Sequence, residues 1–381
     1  MTERTVLISG AGVAGRTLAY WLARAGFRPT VVERAAGLRS SGSPVDVRGP
    51  ASRVAERMGV TAKLREASTS AEALNFVDDA GRRTGRIPTR LFGADGDIEL
   101  PRTDLAAILH DAAREHTEFV FGDSVTELRE DAGGVDVTFE RGGPRRFDLV
   151  LGADGLHSAV RRLVFGPERA FVEHMGVYIA TLPLTGPPAD PAAIEMYNSP
   201  GRAVAVHPSR GHGIAAFMFR GDAVPGFDHR DTALHRRLLT ETYEGAGWLV
   251  PQLLEQVRTT DDLYFDSVSR VRMDRWSTGR IALAGDAASC VSLFGDGSSL
   301  AMAGAYTLAE ELGRTPDDPA AAFRRYETAH RKLVEPKQRA VPAAAALLIP
   351  ATRGGLAARN FGTRLLPLVS AARRLVPARA A

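Results

Sequence analysis

Residues 5–34, TVLISGAGVAGRTLAYWLARAGFRPTVVER, decide the reading of this chain. Thr5–Ser9 is a short apolar, β-branched run, the glycines Gly10, Gly12 and Gly15 follow at once, and Arg16–Ala25 has the composition of a helix. A second apolar run at 30–32 ends in Glu33. This is the pattern of one βαβ unit. Gly10 permits the tight turn, Gly12 lets a pyrophosphate approach the main chain, and Gly15 lets the helix sit close on the strand. The N–H groups at the helix start, around Val13 and Ala14, would face the phosphates. Glu33, about 20 residues on, would accept from a ribose hydroxyl, with Arg34 beside it. The stretch predicts adenine-dinucleotide binding and does not say which dinucleotide.

The rest of the sequence narrows the setting. At 381 residues the chain has room for two domains, and 44% hydrophobic with 24% charged residues is ordinary for a globular protein. The net charge is only +3 and the basic residues are scattered among acids, which disfavours nucleic-acid binding. From Pro336 onward there are arginines and one lysine but no acid, which reads as a solvated helix face. One cysteine, Cys290, excludes an internal disulfide and leaves no metal cluster to assemble, so no metal is expected. The first strand starts too early to leave space for a signal peptide of about 15 to 30 residues. No apolar run reaches about 20 residues, so integral membrane association is not expected and the expected location is cytoplasmic. The oligomeric state is open.

Along the chain, the pattern predicts a hairpin over 74–88 and a helix over 103–115. Strands follow up to Leu149–Gly152, and a β-rich block spans 176–270 with one helix at about 232–243. α/β character returns at Arg280–Asp286, a helix follows over 298–312, and the remainder is helical with proline breaks at Pro336, Pro342, Pro350, Pro367 and Pro377. The expected fold class is α/β: a discontinuous Rossmann-like domain (1–73, 97–175, 272–335), a second domain on a largely antiparallel sheet (74–96, 176–271) and C-terminal helices (336–381).

Three separated motifs carry a resemblance. Gly10-x-Gly12-x-x-Gly15 with Glu33-Arg34, the central Asp154-Gly155-Leu-His-Ser158-Ala-Val-Arg161, and the late Gly285-Asp286 together resemble the single-component, class A FAD-dependent aromatic hydroxylases. Para-hydroxybenzoate hydroxylase and the tetracycline-inactivating monooxygenases belong to that family. The resemblance implies FAD as cofactor, with NAD(P)H as a transient reductant that has no Rossmann domain of its own. It assigns Asp154 and Arg161 to the pyrophosphate region, Asp286 to the ribityl chain, Arg102 to FAD, and Gly297 and Ser298 to a helix start near the flavin pyrimidine. It also implies a flavin C4a-hydroperoxide that hydroxylates or epoxidises an aromatic, polyketide-like or related substrate with O2. A reductase or dehydrogenase on the same fold, and a flavin protein that only sequesters a ligand, are the alternatives.

The sequence departs from the family pattern at Ser289, Leu293 and Asp296, where His, Pro and Gln are common. A carboxylate at Asp296, if aimed at the flavin, would oppose the helix dipole, so the expectation is that it points away. Arg48, Tyr197, His207, Phe217 and Phe294 are the candidate substrate contacts. Asp46 and Arg48 share one side of a period-two strand and could equally form a salt bridge. No catalytic acid or base is assigned.

Overall fold

The structure is a computed structural model that describes residues 4–37, 44–69, 71–91, 96–209, 212–291 and 296–363. Phe294 and Leu293, and the prolines Pro367 and Pro377, lie outside the described residues.

Strand β1 (Arg4–Ser9), helix α1 (Val13–Arg24) and strand β2 (Phe27–Glu33) form the opening unit. A short β3 (Val45–Val47), α2 (Pro50–Arg57) and α3 (Thr61–Glu66) lead to the hairpin β4 (Ala73–Val77) and β5 (Arg83–Pro88). Next come β6 (Ile98–Leu100), α4 (Arg102–Ala113), β7 (Glu118–Phe121) and the meander β8 (Val125–Glu130), β9 (Val135–Phe139) and β10 (Arg145–Phe147). β11 (Leu149–Gly152) ends in a turn to the short α5 (Ala159–Val164). Four strands follow, β12 (Val172–Pro183), β13 (Ala193–Ser199), β14 (Arg202–Ser209) and β15 (His212–Arg220). Helices α6 (Thr232–Tyr243) and α7 (Val250–Thr259) separate them from β16 (Tyr264–Val271). The chain closes with β17 (Ser277–Thr278), β18 (Ile281–Leu283), the single turn α8 (Asp286–Ser289), α9 (Asp296–Arg314) and α10 (Pro319–Leu348). A further helix, α11, spans Arg353–Thr363.

Two large sheets organise these elements. The first has the order β17-β18-β11-β1-β2-β7, parallel except for the β17–β18 edge. β1, β11 and β18 are buried and, apart from Ser9, apolar where they lie side by side, as a sheet covered on both faces requires. The second has the order β16-β12-β15-β14-β13-β4-β5 and is antiparallel except for the β13–β4 pair. This is the α/β class with a largely antiparallel second sheet and a helical C-terminal segment.

The second sheet has two apolar faces. Tyr178, Tyr197, Val204, Phe217 and Phe265 pack with Leu239, Tyr243, Leu253 and Val257 of α6 and α7. Met196, Ala203, Ala205 and Met218 join the core that contains the first sheet. Helix α7 is missing from the sequence reading, although Leu253, Leu254 and Val257 at helical spacing behind Pro251 carry its signal.

The C-terminal helix corrects the sequence reading in another way. The expected breaks at Pro336 and Pro342 do not occur, because α10 runs through both. Each proline removes one backbone hydrogen bond, but Val334, Val341 and Ala345 are buried and hold the helix against the core. The expected break at Pro350 does occur, and the chain turns at Ile349–Pro350. No single helix among the described residues is long and apolar enough to cross a membrane.

Candidate functional site

The three sequence motifs meet in space. A Cβ on Gly10, which has φ of +103°, would lie 2.5 Å from the Ala153 carbonyl oxygen and 2.7 Å from Asp154 Cα. A Cβ on Gly285 would lie 2.8 Å from Ala14 Cβ in the first turn of α1. Gly15 fits against Gly10, whose carbonyl oxygen would be 1.9 Å from any added Cβ. These glycines therefore permit contacts within the protein itself. Gly12 is different: nothing lies within 4 Å of the position its Cβ would take. It presents open backbone at the N-terminus of α1, as a pyrophosphate cradle requires.

Glu33 closes the other side of that turn. One carboxylate oxygen accepts from the Ala11 N–H at 2.9 Å and the other from the Ala35 N–H at 2.8 Å. Each oxygen retains a further lone pair for a ribose hydroxyl. Arg34 is exposed just beyond it.

The central motif is more enclosed than the sequence suggests. Asp154 accepts from the Ser158 hydroxyl and, at 3.0 Å, from the Val160 N–H, while Ser158 caps α5 by accepting from the Arg161 N–H. Burial raises the Asp154 pKa, opposed by these hydrogen bonds. Arg161 is fully buried, donating to the carbonyl oxygens of Ala287, at 3.0 Å, and Leu156. The resemblance puts this side chain in the pyrophosphate region as a fixed cation, and its guanidinium ties the α5 turn to α8.

Asp286 stands at the first position of α8. Burial drives its pKa up, with only partial relief from the charge of Arg102 at the start of α4. Beside it runs a crevice lined by Gly285, Asp286, Ser289, Val291, Gly297 and His330 among others, which brings the first turn of α9 next to this carboxylate. Tyr264 joins the same neighbourhood: burial raises its pKa, and the charges of Arg102 and Asp286 act on it. The sequence reading passed over Tyr264, although strand alternation puts it opposite Phe265, whose ring packs toward α6.

The departure at Asp296 has a local explanation. Arg48 Nε donates to Asp296 Oδ1 at 3.0 Å and its NH2 lies 2.9 Å from the same oxygen, while Lys337 Nζ is 3.1 Å from Oδ2. Arg48 also lies 3.4 Å from Asp46, whose pKa rises to about 6 through burial, against the attraction of Arg48. The hydroxyls of Ser298 and Ser299 donate to the Asp46 carbonyl at 2.7 and 2.8 Å, so β3 is bolted to the first turn of α9. Asp296 thus engages two cations.

The candidate substrate contacts separate. Tyr197 and Phe217 face α6 and α7, on the side of the second sheet away from the first, and Tyr197 donates its hydroxyl to Asp79 at 2.7 Å. Period-two alternation marks a side chain's partners on a strand, not the layer it faces. His207, on the opposite face, has Nε2 at 2.8 Å from Glu99 and Nδ1 at 2.8 Å from the Pro208 carbonyl. The ring is held between the Pro208 carbonyl and the Glu99 carboxylate, which also accepts from the Thr69 hydroxyl at 3.1 Å. Arg48 and His207 are thereby linked through β3 and β6, where Asp46 pairs with Glu99.

The comparisons agree with this geometry. A family model described as an FAD binding domain matches residues 3–335. A flavin-dependent monooxygenase of Legionella longbeachae is 34% identical over 338 residues, covering 88% of this chain and 87% of that protein. The chain belongs to the class A FAD-dependent monooxygenases. An uncharacterised protein of Mycobacterium tuberculosis is 42% identical over 347 residues, 88% of this chain and 92% of its own length. Among solved structures of the family, the tetracycline destructase Tet(51) aligns with a TM-score of 0.83 and 32% identity, covering 95% of this chain and 96% of that one. The protein is accordingly an FAD-binding oxidoreductase, and open backbone at Gly12, acceptors at Glu33 and a desolvated carboxylate at Asp286 suit that cofactor.

Proposed function

We propose that this monooxygenase takes electrons from NAD(P)H and uses O2 to hydroxylate or epoxidise an aromatic, polyketide-like or related organic molecule, in the cytoplasm. The observation that carries the reading is the convergence of Gly10–Gly15, Asp154 and Gly285–Asp286 on one cradle. Relatives named as flavin-dependent monooxygenases support the reaction, and the similarity to a tetracycline destructase supports the substrate class. When bound, FAD would supply the electron transfer and oxygen activation that side chains lack.

The chain's own groups position and shield. Gly12 and the start of α1 offer N–H groups to the pyrophosphate, Glu33 accepts from the adenosine ribose, and Asp286 accepts from the ribityl hydroxyls. Gly297 and Ser298 open α9, whose N-terminal dipole would favour negative charge at the pyrimidine edge. Arg48 and Lys337 neutralise Asp296, so the dipole is not cancelled at its own N-terminus. His207 and Glu99 form a hydrogen-bonded pair on the sheet face that belongs to the shared core, which makes them, with Arg48, the polar groups we assign to the substrate side.

The test is to purify the flavin-loaded protein and follow NADH and NADPH oxidation, oxygen uptake and peroxide with a panel of aromatic and polyketide ligands. Ligand-stimulated oxygen uptake with an oxygenated product is the expected result. Turnover that proceeds equally well without oxygen would sink the proposal.

A further inference from the structure

Away from the flavin cradle, a cavity of about 130 Å3 lies between the β4–β5 hairpin, β13 and α11. Arg359 of α11 forms part of its wall and is only 8% exposed. Its guanidinium lies 3.7 Å over the ring of Phe76. It donates to neutral acceptors: Nε to Asn360 Oδ1 at 2.8 Å, one terminal nitrogen to Asn198 Oδ1 at 2.9 Å and the other, at a long 3.5 Å, to the Leu347 carbonyl. Among the described residues no carboxylate lies within ion-pairing distance of it. Burial alone lowers its pKa to about 10, with no anion acting in the other direction.

Two carboxylates line the same cavity, and both are engaged elsewhere. Asp78 accepts from the N–H groups of Ala80 and Arg82 and pairs with the Arg82 side chain at 2.9 Å. Asp79 accepts from the Tyr197 hydroxyl at 2.7 Å. Among the described residues Arg359 is therefore a charge without a counterpart, and a buried lone cation is costly unless an anion joins it. Two of its five N–H groups have no partner among the described residues, the number a carboxylate takes from a guanidinium. The cavity holds about four waters' worth of volume, enough for a compact acid and too small for a drug-sized ligand.

We propose that this cavity is a binding site for a compact organic monocarboxylate, anchored by Arg359 and closed by α11. Asp78 and Asp79 bias the site against a second negative charge on the ligand, and Phe76, Val77 and Leu356 suit an apolar body behind the carboxylate. The site is independent of the reaction assigned to the flavin cradle.

Benzoate is the probe, titrated into the full-length, FAD-loaded protein by calorimetry, with benzamide as the neutral isostere. Saturable benzoate binding without benzamide binding is expected. Arg359→Gln should weaken benzoate at least tenfold, and Leu356→Phe, which narrows the cavity and leaves the cation in place, should do the same. The second variant keeps the test valid if the first unfolds α11. Absence of saturable benzoate binding, equal binding of benzamide, or binding unaffected by Leu356→Phe would each overturn the proposal. The flavin spectrum, read in parallel, reports the cradle separately.

Discussion

Asp286 and Arg48 show what single residues are expected to contribute. Asp286 is desolvated with only Arg102 to offset it, so Asp286→Asn should raise the melting temperature of the apoprotein while weakening FAD. The loss should be about tenfold in Kd, or ~1.4 kcal/mol, measured by flavin fluorescence. Opposite signs in the two measurements distinguish a cofactor ligand from a structural carboxylate. Arg48 neutralises Asp296 at the start of α9. Its replacement by alanine leaves that carboxylate to Lys337 alone, and the two-electron potential of the bound flavin should fall by about 30 mV, equivalent to ~1.4 kcal/mol. An unchanged potential in Arg48→Ala would mean that Asp296 does not act on the flavin. Neither partnership of Asp296 was legible in the sequence, since Arg48 and Lys337 lie far from it along the chain and arrive separately, Arg48 through the docking of β3 on α9 and Lys337 through the packing of α10 on α9.

At the scale of elements, the opening βαβ unit makes a sharp comparison between two glycines. Gly15→Ala would push a methyl into the Gly10 carbonyl, so the apoprotein itself should lose several kcal/mol. Gly12 has an extended backbone, φ −73° and ψ −168°, and open space before it, so Gly12→Ala should leave apoprotein stability within about 1 kcal/mol. FAD affinity should nonetheless drop at least tenfold, and thermal denaturation of both forms separates the two effects. This unit was legible because turn, helix and strand signals all lie within thirty residues. The second sheet was legible as strands but not as layers. Phe217 and Tyr197 alternate correctly, yet which face is covered depends on α6 and α7, and α7 went unread. The prolines of α10 failed as signals for a related reason: burial of its inward face outweighs the local loss of two hydrogen bonds.

Over the whole molecule, one polar clamp joins the two large sheets. His157, in the turn before α5, places Nε2 at 3.1 Å from Asp266 of β16 and Nδ1 at 3.0 Å from Glu168, and stacks on His229 with centroids 3.7 Å apart. Burial works against its charge, but the two carboxylates prevail and raise its pKa to about 9, above the ordinary 6.5. His229 goes the other way, to about 4, through burial and repulsion from His157. Because the folded value for His157 lies above the unfolded one, the clamp's stabilisation is complete below about pH 6.5 and is lost as pH rises through 9. The melting temperature of the wild type should therefore fall over that window more steeply than that of His157→Gln; parallel curves would remove the clamp from the account. The sequence placed His157 inside a motif without giving it a partner, since Asp266 arrives from the other sheet.

The order β18-β11-β1-β2 also has a consequence for synthesis. β1 leaves the ribosome well before these partners: its neighbour β11 pairs Leu149 with Val6, and β11's own neighbour β18 begins at Ile281. The glycine turn is thus translated early and remains half a pocket until Gly285 reaches Ala14. Cofactor capture is consequently a late event in the life of the nascent chain, and until then the apolar edge of β1 is a surface for chaperones to guard.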